Sequence, residues 1–136
     1  MLFHDPLSRK LAIGLAVLAG FIDALGYLSL GGIFISFMSG NSTRFAADFS
    51  SGADWRAALI PLGIIALFVI GVMAGRAVRH FFPRKPSTAV MVFISLALTS
   101  AGLLHGLHSS MLAVLPLAIA MGAANNVSAA ERSASA

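Results

Sequence analysis

An acidic residue lies inside one of the most apolar stretches of the chain, "AVLAGFIDALGYLSL". A carboxylate such as that of Asp23 costs at least ~2.5 to 3.5 kcal/mol in a helix that crosses a membrane, so it must find a partner. It could bind an ion, relay a proton or hold a solute. Alternatively, it could form a structural hydrogen bond with Arg44, with Asn125 or with a neighbouring stretch of backbone.

A polar run follows soon afterwards, where the apolar "GGIFISF" gives way to "MSGNSTR". Hydroxyl, amide and guanidinium groups in such a place are suited to lining a cavity enclosed by protein, opposite Asp23. Arg44 could hold the Asp23 carboxylate in its charged form or face an anionic solute. The sequence therefore predicts a substrate-binding or ion-binding site formed by Asp23, Ser39, Gly40, Asn41, Ser42, Thr43, Arg44 and Asn125.

The elements that must position these residues are membrane helices. Of the 136 residues, 58% are hydrophobic and only 10% are charged, which is unlike a soluble domain. Four apolar stretches of roughly 20 residues can each cross the ~30 Å hydrocarbon core; they cover residues 11–30, 57–78, 88–107 and 111–129. We therefore predict an all-α membrane protein with about four transmembrane helices in residues 11–129, between a short segment 1–10 and a polar tail 130–136.

The basic residues predict the orientation, since cytoplasmic loops are enriched in Lys and Arg near the ends of spans. Arg9 and Lys10 precede the first span, four basic residues other than histidine lie in 76–85, and Arg132 follows the fourth. Both termini should therefore be cytoplasmic. The net charge of +4 is then explained by topology, so the lipid bilayer is the expected partner and nucleic acid is not.

The same charge rule limits what residues 33–50 can do. A complete extra crossing there would move the basic segment 76–85 to the outside, so this stretch should not span the membrane. Gly31 and Gly32 are expected to end or break the first helix. Residues 33–50 would then either re-enter the membrane as a half-helix or lie at its surface as an amphipathic helix.

A weak internal similarity connects the first and last apolar stretches. Aligning "LAGFIDAL", residues 18–25, with "AMGAANNV", residues 120–127, pairs Asp23 with Asn125. The two spans run in opposite directions, so a true repeat would be inverted, which is a common design in transporters. Chance similarity between two helices rich in Gly and Ala is the alternative.

The stretch "LAGFIDALGYLSLGGIFISFMSGNSTR", residues 18–44, closely resembles the signature of the bacterial YoaK-like family of uncharacterised polytopic inner-membrane proteins. The resemblance implies a multi-pass helical protein of the bacterial inner membrane with two related halves, and it supplies no reaction. "LAIAMGAANNV" is similar to the start of the family's second conserved segment. The resemblance thus implies a chain truncated after the start of the second repeat, in which a homo-oligomer could replace the missing half.

Catalytic and cofactor chemistry is not indicated. The chain has no cysteine, no phosphate-binding glycine loop and no paired carboxylates. His105 and His108 lack a nearby acid or cysteine, so we predict no metal site and no cofactor. An intramembrane hydrolase using Ser39 or Ser42 is disfavoured because no histidine is predicted at a matching depth.

The favoured function is therefore non-enzymatic: a transporter or permease-like protein for a small solute or ion. The alternative is a structural or interaction membrane protein, or a non-functional truncated family member. Two pairs of glycines four residues apart, Gly71 with Gly75 and Gly102 with Gly106, predict packing surfaces within the chain.

Overall fold

The computed structural model describes residues 6–52, 55–107 and 110–134, and the described chain is entirely helical. The five helices are α1 (Pro6–Ser29), α2 (Met38–Ser50), α3 (Trp55–Phe81), α4 (Pro86–Gly106) and α5 (Ser110–Ala134). No strand occurs in these ranges. The predicted all-α class is confirmed, including a short helix after the first long one.

Three helices are long and apolar enough to cross a membrane, namely Arg9–Ser29, Trp55–Phe81 and Pro86–Gly106. The fourth predicted span falls on α5, whose apolar part is the shorter stretch Leu112–Val127. Many large apolar side chains point outward; Leu28 of α1, for example, is 81% exposed. Outward apolar surfaces of this extent are typical of helices surrounded by lipid.

Helix α5 forms the centre of the arrangement. It packs against α3 and α4 along much of its length and also contacts α1, while α2 packs against α3. Its inward face carries small side chains, and Ala118, Ala120 and Ala123 have no exposed surface. Small residues at this face allow the neighbouring helices to approach closely.

The closest approach joins α3 and α5 through glycines. A Cβ atom added at Gly71 would collide with the backbone of Ile119, and one added at Gly122 would collide with the carbonyl of Phe68. Gly75 lies 2.6 Å, measured from the position of an added Cβ, from the side-chain nitrogen of Asn126. The predicted packing surface at Gly71 and Gly75 is confirmed.

The corresponding prediction for α4 is wrong. Gly102 and Gly106 are exposed, and an added Cβ at either would meet no atom within 4 Å. These two glycines lie on the side of α4 that α3 and α5 do not cover at close range. A spacing of four residues identifies a shared helix face, but it does not identify which face is buried.

Helix α1 ends at the predicted glycine pair. Gly31 and Gly32 have φ angles of 68° and 92°, in the left-handed region that favours glycine. The N–H of Gly32 donates to the carbonyl of Tyr27 at 2.9 Å, which is the long bond of a Schellman motif. The chain leaves α1 here and reverses direction before α2 begins.

Substituting alanine for Gly71 should destabilise the protein by ~1 to 3 kcal/mol, because its methyl group forces the backbones of α3 and α5 apart. Gly63 of the same helix is the matched control, since a Cβ there meets nothing within 4 Å. Gly63→Ala should leave stability unchanged or raise it by up to ~1 kcal/mol through helix propensity. Thermal unfolding in detergent measures both; equal stability of the two variants would contradict the close contact.

Candidate functional site

The segment between α1 and α2 folds back along α1 and is held there by Asp23. The backbone N–H groups of Ile35 and Ser36 donate to Asp23 Oδ1 at 2.7 and 2.6 Å. The Ser36 hydroxyl donates to Asp23 Oδ2 at 2.7 Å. Asp23 is six residues before the last residue of α1, so the segment returns by ~9 Å alongside the helix.

These bonds give the Asp23 carboxylate a defined role in the fold. Non-helical backbone has no internal partner for its N–H groups, and such groups must find an acceptor when water is excluded. Both carboxylate oxygens of Asp23 accept hydrogen bonds, and the residue is only partly exposed. The sequence suggested Arg44, Asn125 or neighbouring backbone as structural partners of Asp23. In the structure the partner is neighbouring backbone, at Ile35 and Ser36.

Asn41 holds the same segment from the other side. The Phe34 N–H donates to Asn41 Oδ1 at 3.0 Å, and Asn41 Nδ2 donates to the Phe34 carbonyl at 2.6 Å. The amide side chain thus pairs with both backbone groups of one residue, as a neighbouring β-strand would. Asn41 is completely buried, so an unpaired amide there would cost ~1 to 3 kcal/mol.

Two glycines let the segment pack tightly between these anchors. A Cβ at Gly26 of α1 would lie 2.7 Å from Ile35 Cγ1 and 3.3 Å from the carbonyl oxygen of Ile33. A Cβ at Gly40 of α2 would lie 2.5 Å from the ring of Phe37. The site residue Gly40 therefore serves close packing beneath an aromatic ring.

Arg44 connects α2 to the end of α1. Its Nη1 donates to the carbonyl of Gly31 at 3.2 Å, and its Nε pairs with Asp48 Oδ2 at 3.0 Å. The ion pair is largely exposed, so we assign it little stabilising energy. Residues 35 and 36 contact Asp23, whereas Arg44 contacts Gly31 at the end of α1. Helix α2 therefore runs back toward the level at which α1 ends.

The hydroxyl groups of α2 are used locally. The hydroxyls of Ser42 and Thr43 donate to the carbonyls of Met38 and Ser39, one turn earlier, at 2.9 and 3.0 Å. Ser39, Ser42 and Thr43 are all exposed. Of the predicted site residues on α2, only Gly40, Asn41 and Arg44 contact the returning segment.

On α5 the predicted site residue Asn125 is not the buried asparagine; its neighbour Asn126 is. Asn125 is exposed, whereas Asn126 is 7% exposed and donates to the carbonyl of Val72 on α3 at 3.0 Å. Asn126 was not among the predicted site residues. Its position four residues after Gly122, the glycine that contacts α3, is the signal that could have identified it.

A cleft of about 320 Å³ lies beside the returning segment, between α1, α4 and α5. Its walls are mostly apolar and include Ile22, Ile35 and Leu98, with Ser29 and His105 as the polar side chains. Ile35 is the link to the anchors, since its N–H is held by Asp23 while its side chain forms a wall. Asp23 therefore positions this wall from behind without lining the cleft itself.

The described residues contain no group of three or more His, Cys, Asp or Glu side chains that could hold a metal ion. His108, the second histidine of the pair weighed from the sequence, lies outside the described residues.

A protein-family model described as "Protein of unknown function (DUF1275)" matches residues 11–135. The resemblance seen in residues 18–44 implied a family without an assigned function, and this much is confirmed. No curated protein matches the chain. No solved structure matches it either.

The Asp23 hydrogen bonds predict different outcomes for two substitutions. Asp23→Ala leaves the N–H groups of Ile35 and Ser36 without acceptors and should destabilise the protein by at least ~2 kcal/mol. Asp23→Asn keeps one oxygen for both N–H groups, and the Ser36 hydroxyl can turn to accept from the new amide. It should therefore retain most of the stability in thermal unfolding. An Asn variant as unstable as the Ala variant would contradict this role.

Proposed function

The chain belongs to DUF1275, a family of proteins of unknown function, and from its geometry we propose that it is a permease-like membrane protein for a small, largely apolar solute. One observation carries the proposal: a non-helical backbone segment that folds back along α1, held by Asp23 and Asn41, forms a wall of the apolar cleft. Interrupted helices of this kind commonly form the solute sites of transporters.

The proposal includes a multi-pass arrangement in the bacterial inner membrane. The three long apolar helices and α5 would cross it, with both termini and the basic segment 76–85 on the cytoplasmic side. Residues 30–37 then lie at membrane depth. Irregular backbone is tolerated there only where protein or a water-filled cavity satisfies it. The hydrogen bonds that residues 34–36 make with Asp23 and Asn41 meet that requirement for their N–H groups.

The cleft limits the kind of solute. Its volume of about 320 Å³ is near the lower end of the ~300 to 1,000 Å³ typical of ligand pockets. Apolar walls with Ser29 and His105 suit a compact molecule that has one hydrogen-bonding group. A bare cation at Asp23 would compete with the three hydrogen bonds that its carboxylate already accepts.

We propose transport in preference to catalysis. The residues that line the cleft are mostly apolar, which suits holding a solute better than the acid and base pair that most hydrolytic chemistry needs. Transport requires part of the protein to move, and residues 33–36 can do so because hydrogen bonds to side chains hold them and the hydrogen bonds of a helix do not. A small shift of this segment would move Ile35 and change access to the cleft without unwinding a helix.

A second candidate is a structural or interaction protein without transport activity. The observation that favours it is that Asp23 and Asn41 both hold the segment between α1 and α2 through hydrogen bonds. In that case the cleft would be occupied by lipid and would bind no particular solute.

Filling the cleft tests the proposal. Gly102 lines the cleft and has open space around it, so Gly102→Phe should block the cleft without disturbing packing. Gly63→Phe on α3 is the matched control, since Gly63 also has open space and does not line the cleft. The probes are small alcohols and phenols, with sodium and potassium salts for comparison.

A bound solute at ~100 times its dissociation constant should stabilise the wild type by ~2.7 kcal/mol in thermal unfolding. We expect Gly63→Phe to respond like the wild type and Gly102→Phe to lose the response. Flux of the same solute into proteoliposomes should follow the same pattern. Binding without flux would contradict transport, and no response to any probe by a folded wild type would favour the structural candidate.

A further inference from the structure

A second apolar depression lies at the opposite end of α4 from His105, where α3 ends and α4 begins. It has a volume of about 810 Å³ and is lined by Phe81, Phe82, Val92 and Leu96, with Arg84 and Lys85 at one end. All six side chains are exposed. We call this depression the basic-end groove.

The length of the basic-end groove matches one leaflet of a bilayer. Lys85, Val92 and Leu96 recur on one face of α4, and the distance from Lys85 to Leu96 is ~16 Å at ~1.5 Å per residue. Half of the ~30 Å hydrocarbon core is ~15 Å. Because α4 begins at Pro86 and ends at Gly106, the groove runs from one end of this candidate span to about its middle.

The end of the groove is basic. Neither α3 nor α4, the two helices that form the groove, contains an Asp or Glu. Arg79 and His80 add further basic groups in the last turn of α3. The first turn of α4 also has no side-chain cap, so its N–H groups favour an anion nearby.

We propose that the basic-end groove binds an anionic glycerophospholipid. One acyl chain lies along Val92 and Leu96, and the phosphate contacts Arg84 and Lys85. The apolar groove accounts for the acyl chain of the ligand, and the basic pair Arg84 and Lys85 accounts for its anionic headgroup. This site is separate from the cleft beside Ile35, so it does not depend on the transport proposal.

Lipid binding by the purified full-length chain tests this assignment. In native mass spectrometry, added phosphatidylglycerol should be retained and phosphatidylcholine should not. The double variant Arg84→Gln with Lys85→Gln should bind phosphatidylglycerol at least roughly tenfold more weakly. Arg9→Gln with Lys10→Gln removes the same charge before the first span and should bind like the wild type. Equal losses in the two double variants, or none in the first, would overturn the proposal.

A groove variant tests the acyl chain without changing charge. Val92→Trp should fill the groove and weaken phosphatidylglycerol retention, whereas Val69→Trp, at an exposed position on α3 that does not line the groove, should not. The Val92→Trp variant also provides an independent test if the Arg84 and Lys85 double variant does not fold. Glycerol 3-phosphate should give no stabilisation. If it binds as well as the intact lipid, or if Val92→Trp binds like the wild type, the site takes a soluble anion and the lipid proposal fails.

Discussion

The backbone of residues 33–36 has to satisfy its hydrogen bonds outside any helix, beside the apolar length of α1. Two of its N–H groups meet this constraint through one acceptor, the Asp23 carboxylate, and Asn41 satisfies both backbone groups of Phe34. Without these side chains the segment would have unpaired polar groups against apolar helices, at several kcal/mol. The position of Asp23 inside an apolar helix is thus explained by the hydrogen bonds that it accepts from residues 35 and 36.

Much of the remaining geometry follows from that return. The returning segment brings the start of α2 close to the level of Asp23. Helix α2 then runs toward the end of α1, where Arg44 donates to the carbonyl of Gly31. The side chain of Ile35 is pressed against Gly26 and becomes a wall of the cleft. The polar atoms of Asp23 and Asn41 form their hydrogen bonds with the segment and do not line the cleft. The surface of the cleft is therefore mostly apolar. This division is the reason for proposing an apolar solute and a positioning role for Asp23.

Composition and local sequence were enough to predict the helical class, the break at Gly31 and Gly32, and a short helix after it, because hydropathy and backbone freedom are local properties. Neighbouring backbone was one of several possible partners of Asp23, but helix spacing could not single out the N–H groups of Ile35 and Ser36. Ser42 and Thr43 donate their hydroxyls to carbonyls of the previous turn, a local use that the polar run by itself does not reveal. Asn126 was missed because the internal alignment directed attention to Asn125, whereas the helical phase of Gly122 points to Asn126.

The central claim is that Asp23 holds the N–H groups of Ile35 and Ser36, and amide hydrogen exchange at those two residues tests it most directly. In Asp23→Ala their exchange should accelerate by about tenfold for every ~1.4 kcal/mol of lost protection and approach that of unprotected amides, while amides in the middle of α3 stay protected and accelerate by no more than the overall loss of stability allows. Unchanged exchange at Ile35 and Ser36, in a variant that remains folded, would contradict the account.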